Sequence, residues 1–176
     1  MDYQIKKFKE LDSTSAKAKE LAAQGAEPWT VVVAEQQGLG YGRKVNAWFS
    51  PKGGLYFSVV LPKGNVDDLQ ILTILAAFCV AKSLKDDYDV EPFVKLPNDV
   101  YLNGKKICGI LTENVIAGEV KSSVIGIGVN TNIDRFPSEL NTATSLKMEL
   151  KKTIDNELIL GQIVTQLQNT FRSISQ

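Results

Sequence analysis

The chain has 176 residues, enough for one folded domain, and its 44% hydrophobic and 23% charged residues are ordinary globular composition. Lys plus Arg and Asp plus Glu are 20 each, a balance that argues against a sequence-independent grip on DNA or RNA. With no histidine in the sequence, Ser-His-Asp and Cys-His catalysis, histidine general-base chemistry and His-ligated metal sites are all excluded.

Along the chain, Tyr3 to Phe8 reads as a short strand, and Asp12, Ser13 and Thr14 offer N-cap side chains for a helix from Ser15 to Gln24 that ends at Gly25. Ala16, Leu21 and Ala22 are expected to face inward. Thr30 to Glu35 is β-branched with little alternation, the pattern of a strand buried on both faces. A long glycine-rich loop, Gln36 to Gly54, separates it from a strand at Leu55 to Leu61. Asp67 to Lys85 has helical apolar spacing. Short strands follow at Pro92 to Lys95 and Asp99 to Leu102, and Asn103-Gly104 signals a hairpin into Lys105 to Glu113. Gly118-Glu119 turns a second hairpin into Val120 to Asn130. Asn156 to Ile174 is a terminal amphipathic helix with Leu158, Ile159, Ile163, Leu167 and Phe171 on one stripe. This order predicts an α+β fold, a mixed and largely antiparallel sheet with helices packed on one face.

The N-terminus has no apolar signal core, and the longest apolar run, Ile71 to Ala81, is broken by Thr73 and too short to cross a bilayer. Cys79 and Cys108 each sit in an apolar run and read as buried free thiols, which fits a reducing cytoplasm. No membrane association is expected.

Three segments carry chemistry. Between Glu35 and Lys44 lie Gly38, Gly40 and Gly42, which let backbone N–H groups approach an anion, beside the cations Arg43 and Lys44. This is neither a P-loop nor a dinucleotide fingerprint. In the second segment, Lys95-Leu96-Pro97-Asn98-Asp99 precedes the Asn103-Gly104 turn and Lys105-Lys106. A carboxylate next to an amide can hold one Mg²⁺ together with substrate phosphates. Strict strand alternation allows only one of Lys105 and Lys106 to point inward. The third is Gly126-Ile127-Gly128-Val129-Asn130, where two glycines in a strand admit a flat ligand or another backbone. Each segment alone also has a plain structural explanation: a flexible loop, a solvated edge hairpin, a kinked core strand.

Taken in order, the segments resemble the catalytic domain of biotin protein ligases, with the class II aminoacyl-tRNA synthetase-like fold shared by biotin and lipoate ligases. The likeness runs from Leu11 to about Leu146. It rests on Leu11-Asp12-Ser13-Thr14, on Gln37 to Arg43 with Trp48 and Ser50-Pro51, on Gly126 to Asn130 and on Ala143-Thr144-Ser145-Leu146. Most specific is Lys95-x-Pro-Asn-Asp with Gly104-Lys-Lys-x-x-Gly-Ile-Leu. The resemblance implies a ligase that joins biotin to ATP as biotinyl-5'-adenylate. It then transfers biotin to a lysine on the biotin carboxyl carrier domain of acetyl-CoA carboxylase or a related carboxylase. It further implies biotin and ATP as substrates with Mg²⁺, and admits a homodimer joined through a sheet edge. Related alternatives are lipoate or octanoate attachment and a non-catalytic binding homologue.

Carried over by position, Ser13, Thr14, Ser15 and Gln37 meet the ureido end of biotin. Gly40, Tyr41, Gly42 and Arg43 (on the carboxylate oxygens) also meet biotin, Gly109, Gly126 and Gly128 let its bicyclic ring and valeryl chain lie close to the sheet, and Trp48 supplies an aromatic wall. Lys106 meets the biotin carboxylate and the adenylate phosphate, a choice over Lys105 that comes from the family spacing. Arg43, Lys44, Lys95, Asn98 and Asp99 serve the ATP phosphates and Mg²⁺ (Asp99 as the metal ligand), with Trp48 and Asn130 on the nucleotide. Lys106, Arg43 and Lys95 are the expected catalytic set. The sequence departs from the family in four places: Tyr41 and Asn46 stand where loop arginines are usual, Ser15 replaces an asparagine, and Leu96 replaces a tryptophan. Loss of two planar clamps on phosphate implies weaker retention of the adenylate. The expected extent is residues 1–176 as a catalytic domain, without an N-terminal DNA-binding domain or the small C-terminal β-barrel, and therefore without DNA as a partner.

Overall fold

The computed structural model describes residues 3–62, 68–117 and 120–174. Its strands are β1 (Gln4–Leu11), β2 (Thr30–Gln37), β3 (Leu55–Val60), β4 (Phe93–Lys95), β5 (Asp99–Leu102), β6 (Lys105–Ala117) and β7 (Val120–Val129). Its helices are α1 (Thr14–Ala23), α2 (Leu69–Tyr88), α3 (Leu146–Leu150) and α4 (Asn156–Ile174). The strands form one sheet in the order β1-β2-β3-β7-β6-β5-β4. β1 and β2 are parallel, as α1 crosses over between them, and the other neighbouring pairs are antiparallel. The α+β reading therefore holds. The Gly118-Glu119 turn lies outside the described residues.

Alternation along the strands creates two different faces. Val31, Leu55, Phe57, Val59, Ile110, Ile125, Ile127 and Val129 point into the main core with α2 and α4. Val32, Val60 and Val124 point the other way, against Ala18 and Ala22 of α1. The expectation of helices on one face thus holds for α2 and α4, and α1 covers part of the opposite face. Both Val31 and Val32 are fully buried, as the apolar pattern of β2 requires.

Two helical stripes differ from the sequence reading. In α1 the buried positions are Thr14, Ser15, Ala18 and Ala22, while Ala16 is exposed. The helix turns two hydroxyls inward because the face it covers is partly polar. In α4 the i, i+4 line runs through Ile159, Ile163, Leu167 and Phe171, and Leu158, about 100° off that line, is 57% exposed. Helix α3 is a single short turn-rich element that periodicity could not reveal. Ser145 caps it, its Oγ accepting from Met148 N. Cys79 and Cys108 are free and buried. Among the described residues no helix is long and apolar enough to cross a membrane.

Candidate active site

On the α1 side of the sheet lies a cavity of about 360 Å³, its lining drawn from α1, the glycine-rich loop, the start of β5, and the middle of β6 and β7. The floor is made of glycine. Gly109 and Gly128 are register partners on β6 and β7, and Gly126 lies two residues along β7 beside Leu111. A Cβ on Gly109 would stand 2.9 Å from Trp48 Cζ3. A Cβ on Gly128 would overlap the Trp48 indole, and one on Gly126 would overlap Ser15 Oγ. The missing side chains are what let the ring and the hydroxyl lie against the sheet.

A hydroxyl and amide network occupies the Gly126 end. Ser13 Oγ caps α1 by accepting from Ala16 N at 3.3 Å. Thr14 donates from N (2.8 Å) and from Oγ1 (3.0 Å) to Gln37 Oε1. Gln37 Nε2 donates to Ser50 Oγ at 2.9 Å, and Ser50 Oγ donates to the Trp48 carbonyl at 2.9 Å. Ser58 Oγ donates to Thr14 Oγ1 at 2.9 Å and lies 3.1 Å from Ser15 Oγ. The N-terminus of α1, the end of β2 and the loop are thereby tied to one buried polar cluster.

Charge occupies the other end. Lys106 Nζ is 2.7 Å from Asp99 Oδ1 and 5.3 Å from the centre of the Trp48 ring. Asn98 Nδ2 also donates to Asp99 Oδ1 at 2.9 Å, and Asn98 Oδ1 accepts from Arg43 at 3.2 Å. Lys44, with φ of 56°, lies beside Arg43 in the lining. Arg43 is the sole arginine among the lining residues. Cys108 next to Lys106 is no nucleophile, since complete burial pushes its thiol pKa far up.

Lys106 reaches this face because of a β-bulge. The β5–β6 register runs Asp99↔Gly109 and Val100↔Cys108, then jumps to Tyr101↔Lys106. Ile107 and Cys108 both enter the core, and Lys106 is turned toward Asp99 and Gly109. Its backbone is held by the segment before α3: Lys106 N donates to Thr142 O at 2.8 Å and Lys106 O accepts from Thr144 N at 2.9 Å. Lys105 is exposed.

Glu149 supports that segment. It accepts from Thr144 Oγ1 at 2.5 Å and from Asn103 Nδ2 at 2.6 Å, and these bonds hold its carboxyl below the ordinary 4.5. A lowered folded-state pKa contributes stability that is complete above the unfolded value and is lost as pH falls through the folded value. Glu149→Gln should therefore destabilise the domain near pH ~7, and urea denaturation should show that difference shrinking as pH drops below about 4. A constant difference over that range would contradict the assignment.

A family model described as the biotin/lipoate A/B protein ligase family matches residues 7–130. The chain belongs to this family. It is 37% identical over 168 residues to the bifunctional ligase/repressor BirA of Bacillus subtilis, covering 92% of this chain and 52% of that protein. It is 37% identical over 123 residues to the biotin–[acetyl-CoA-carboxylase] ligase of Paracoccus denitrificans, covering 68% of this chain and 51% of that protein. The chain thus spans about half the length of the curated relatives it matches. A solved biotin protein ligase from Aquifex aeolicus, in complex with biotin and ATP, superposes with a TM-score of 0.90 at 29% identity, over 98% of this chain and 72% of that one.

Most sequence-predicted residues of this family member meet in the cavity lining: Ser13, Thr14, Ser15, Gln37, Tyr41, Gly42, Arg43, Lys44, Trp48, Asn98, Asp99, Lys106, Gly109, Gly126 and Gly128. Three do not line it. Lys95 is exposed on edge strand β4, its ammonium 5.3 Å from the centre of the Tyr101 ring. Asn130 is buried just past β7, where its carbonyl accepts from Leu146 N. Gly40 sits behind the loop, where a Cβ would stand 2.6 Å from Ser50 Oγ. Sequence reasoning missed Ser58, a fully buried hydroxyl in an apolar strand. That oddity is a usable signal, because a buried hydroxyl needs a partner.

Proposed function

We propose that this domain activates biotin with ATP and transfers it to a lysine of a carrier protein. The observation that carries this is one cavity with a glycine floor between a neutral polar cluster and a group of cations. A ureido ring has donors and acceptors for the Ser13, Thr14 and Gln37 groups of that network which line the cavity, and a carboxylate requires the opposite end. A dithiolane ring would leave that network facing an apolar group, so biotin is favoured over lipoate.

In the first step a biotin carboxylate oxygen bonds to the α-phosphorus of ATP, and the bond from that phosphorus to the bridging oxygen breaks. Pyrophosphate leaves with the electron pair. Anions crowd together in this displacement, and Lys106, Arg43 and Lys44 supply fixed positive charge where they meet. In the second step a carrier lysine amine attacks the acyl carbon and AMP leaves. Neither step requires a histidine or a protein nucleophile. Asp99 is the carboxylate present for Mg²⁺, which would screen phosphate charge. Among the described residues no cluster of three Asp, Glu, Cys or His forms a separate metal cage, so phosphates and water would complete the shell. With Arg43 the sole arginine in the lining, the adenylate is held by fewer planar clamps than the family pattern provides.

Incubation with MgATP, biotin and a purified carrier domain tests the reading by mass spectrometry of the carrier. Addition of one biotin to a carrier lysine is expected. An unmodified carrier, with the domain folded and biotin present, would refute transfer.

A further inference from the structure

Three side chains from three elements meet beside the cavity without taking part in the chemistry above. Tyr41 Oη, from the loop, donates to Glu113 Oε2 of β6 at 2.9 Å. Lys19 Nζ, from α1, pairs with Glu113 Oε1 at 2.7 Å and lies 5.6 Å from the centre of the Tyr41 ring. The Lys19 and Glu113 side chains are 30% and 26% exposed, so water screens the pair less than a surface ion pair. Burial opposes the Lys19 charge, yet its bonds to Glu113 and Tyr41 raise its pKa overall.

The position of Tyr41 gives this cluster its meaning. The loop is a small hairpin: Tyr41 bridges Ala47, Gly42 N donates to Asn46 O at 2.8 Å, and Trp48 N donates to Gly40 O at 2.8 Å. Arg43 is at its tip and Trp48 at its far base, and both line the cavity. At the tip, Arg43 is exposed and makes a 3.2 Å bond to Asn98. Side-chain anchorage of the near base falls on Tyr41.

We propose that Tyr41, Glu113 and Lys19 form an anchor that seats the loop before ligand arrives, with Glu113 and Lys19 as positioning residues for Trp48 and Arg43. The role assigned to the cavity rests on the biotin reading; the seating of the loop does not. A loop ordered in advance spares the ligand the entropy of ordering it, which shows as slower release. The anchor thus works against the loss of loop arginines. Tyr41 provides it at a position where arginine is usual.

Acrylamide quenching of ligand-free protein reports the loop, with Trp48→Phe defining the Trp48 share against Trp29. Tyr41→Phe and Glu113→Gln should each raise quenching of Trp48 at least ~2-fold and speed biotin release about 10-fold, with the association rate changed less than about 3-fold. The double variant should be no worse than the stronger single one, because both changes remove one bond. Lys19→Arg should preserve wild-type values and Lys19→Met should not. Quenching and release both within about 2-fold of wild type in the two single variants would overturn the anchor, as would fully additive effects. Shifted quenching in a protein that binds no biotin at all would uphold the anchor and overturn the biotin reading instead.

Discussion

Lys106→Ala should reduce biotin-dependent pyrophosphate release at least ~1,000-fold, about 4 kcal/mol of barrier, while Lys105→Ala should change it less than about 3-fold. The contrast follows from where the two neighbours point. Lys105 is exposed, whereas Lys106 lies in the cavity 2.7 Å from Asp99. On the proposed mechanism, removing the ammonium takes a counter-charge from the transferring phosphate and leaves Asp99 with only its bond from Asn98 Nδ2. An unchanged urea-denaturation midpoint in Lys106→Ala should separate this loss from a folding defect. Pyrophosphate release lost in Lys105→Ala and kept in Lys106→Ala would show that the bulge directs the wrong lysine to the chemistry.

Gly128→Ala should weaken biotin binding about 100-fold, or about 2.8 kcal/mol, by calorimetry. The added methyl overlaps the Trp48 indole, and the strand beneath it is pinned between β3 and β6. The sheet has no room to retreat, so the loop must lift. Global stability should change little, because the strain falls on a loop side chain rather than the main core. Biotin affinity in Gly128→Ala within about 3-fold of wild type would mean that Trp48 seated on Gly128 does not shape the ligand site.

Much of the fold was legible because its signals are local. Asn103-Gly104 marks the β5–β6 hairpin, and the uninterrupted β-branched run of β2 marks a central strand. The long-range choices were not legible. Nothing within Thr14 to Ala23 states which face of the sheet that helix will cover, since this is decided by the crossover from β1 to β2. For the site, residue types and spacing brought most of the lining together, and only one of Lys105 and Lys106 faces the cavity, as alternation requires, but alternation carried on to Gly109 fails. From alternation alone, Lys106 and Gly109 belong on opposite faces. The bulge that unites them depends on pairing with Tyr101 across the hairpin. Tyr41 was expected to meet biotin; it lines the cavity, yet its hydroxyl is committed to Glu113, and only the tertiary structure brings that partner and Lys19 alongside.

A single-turnover experiment most directly tests whether this cavity makes an acyl-adenylate. Excess domain is mixed with MgATP labelled at the α-phosphate, with and without biotin, and the quenched products are separated. One pyrophosphate and one biotinyl-adenylate per ATP consumed, only when biotin is present, is the predicted result. Biotin and MgATP both bound, with ATP left intact, would contradict the account.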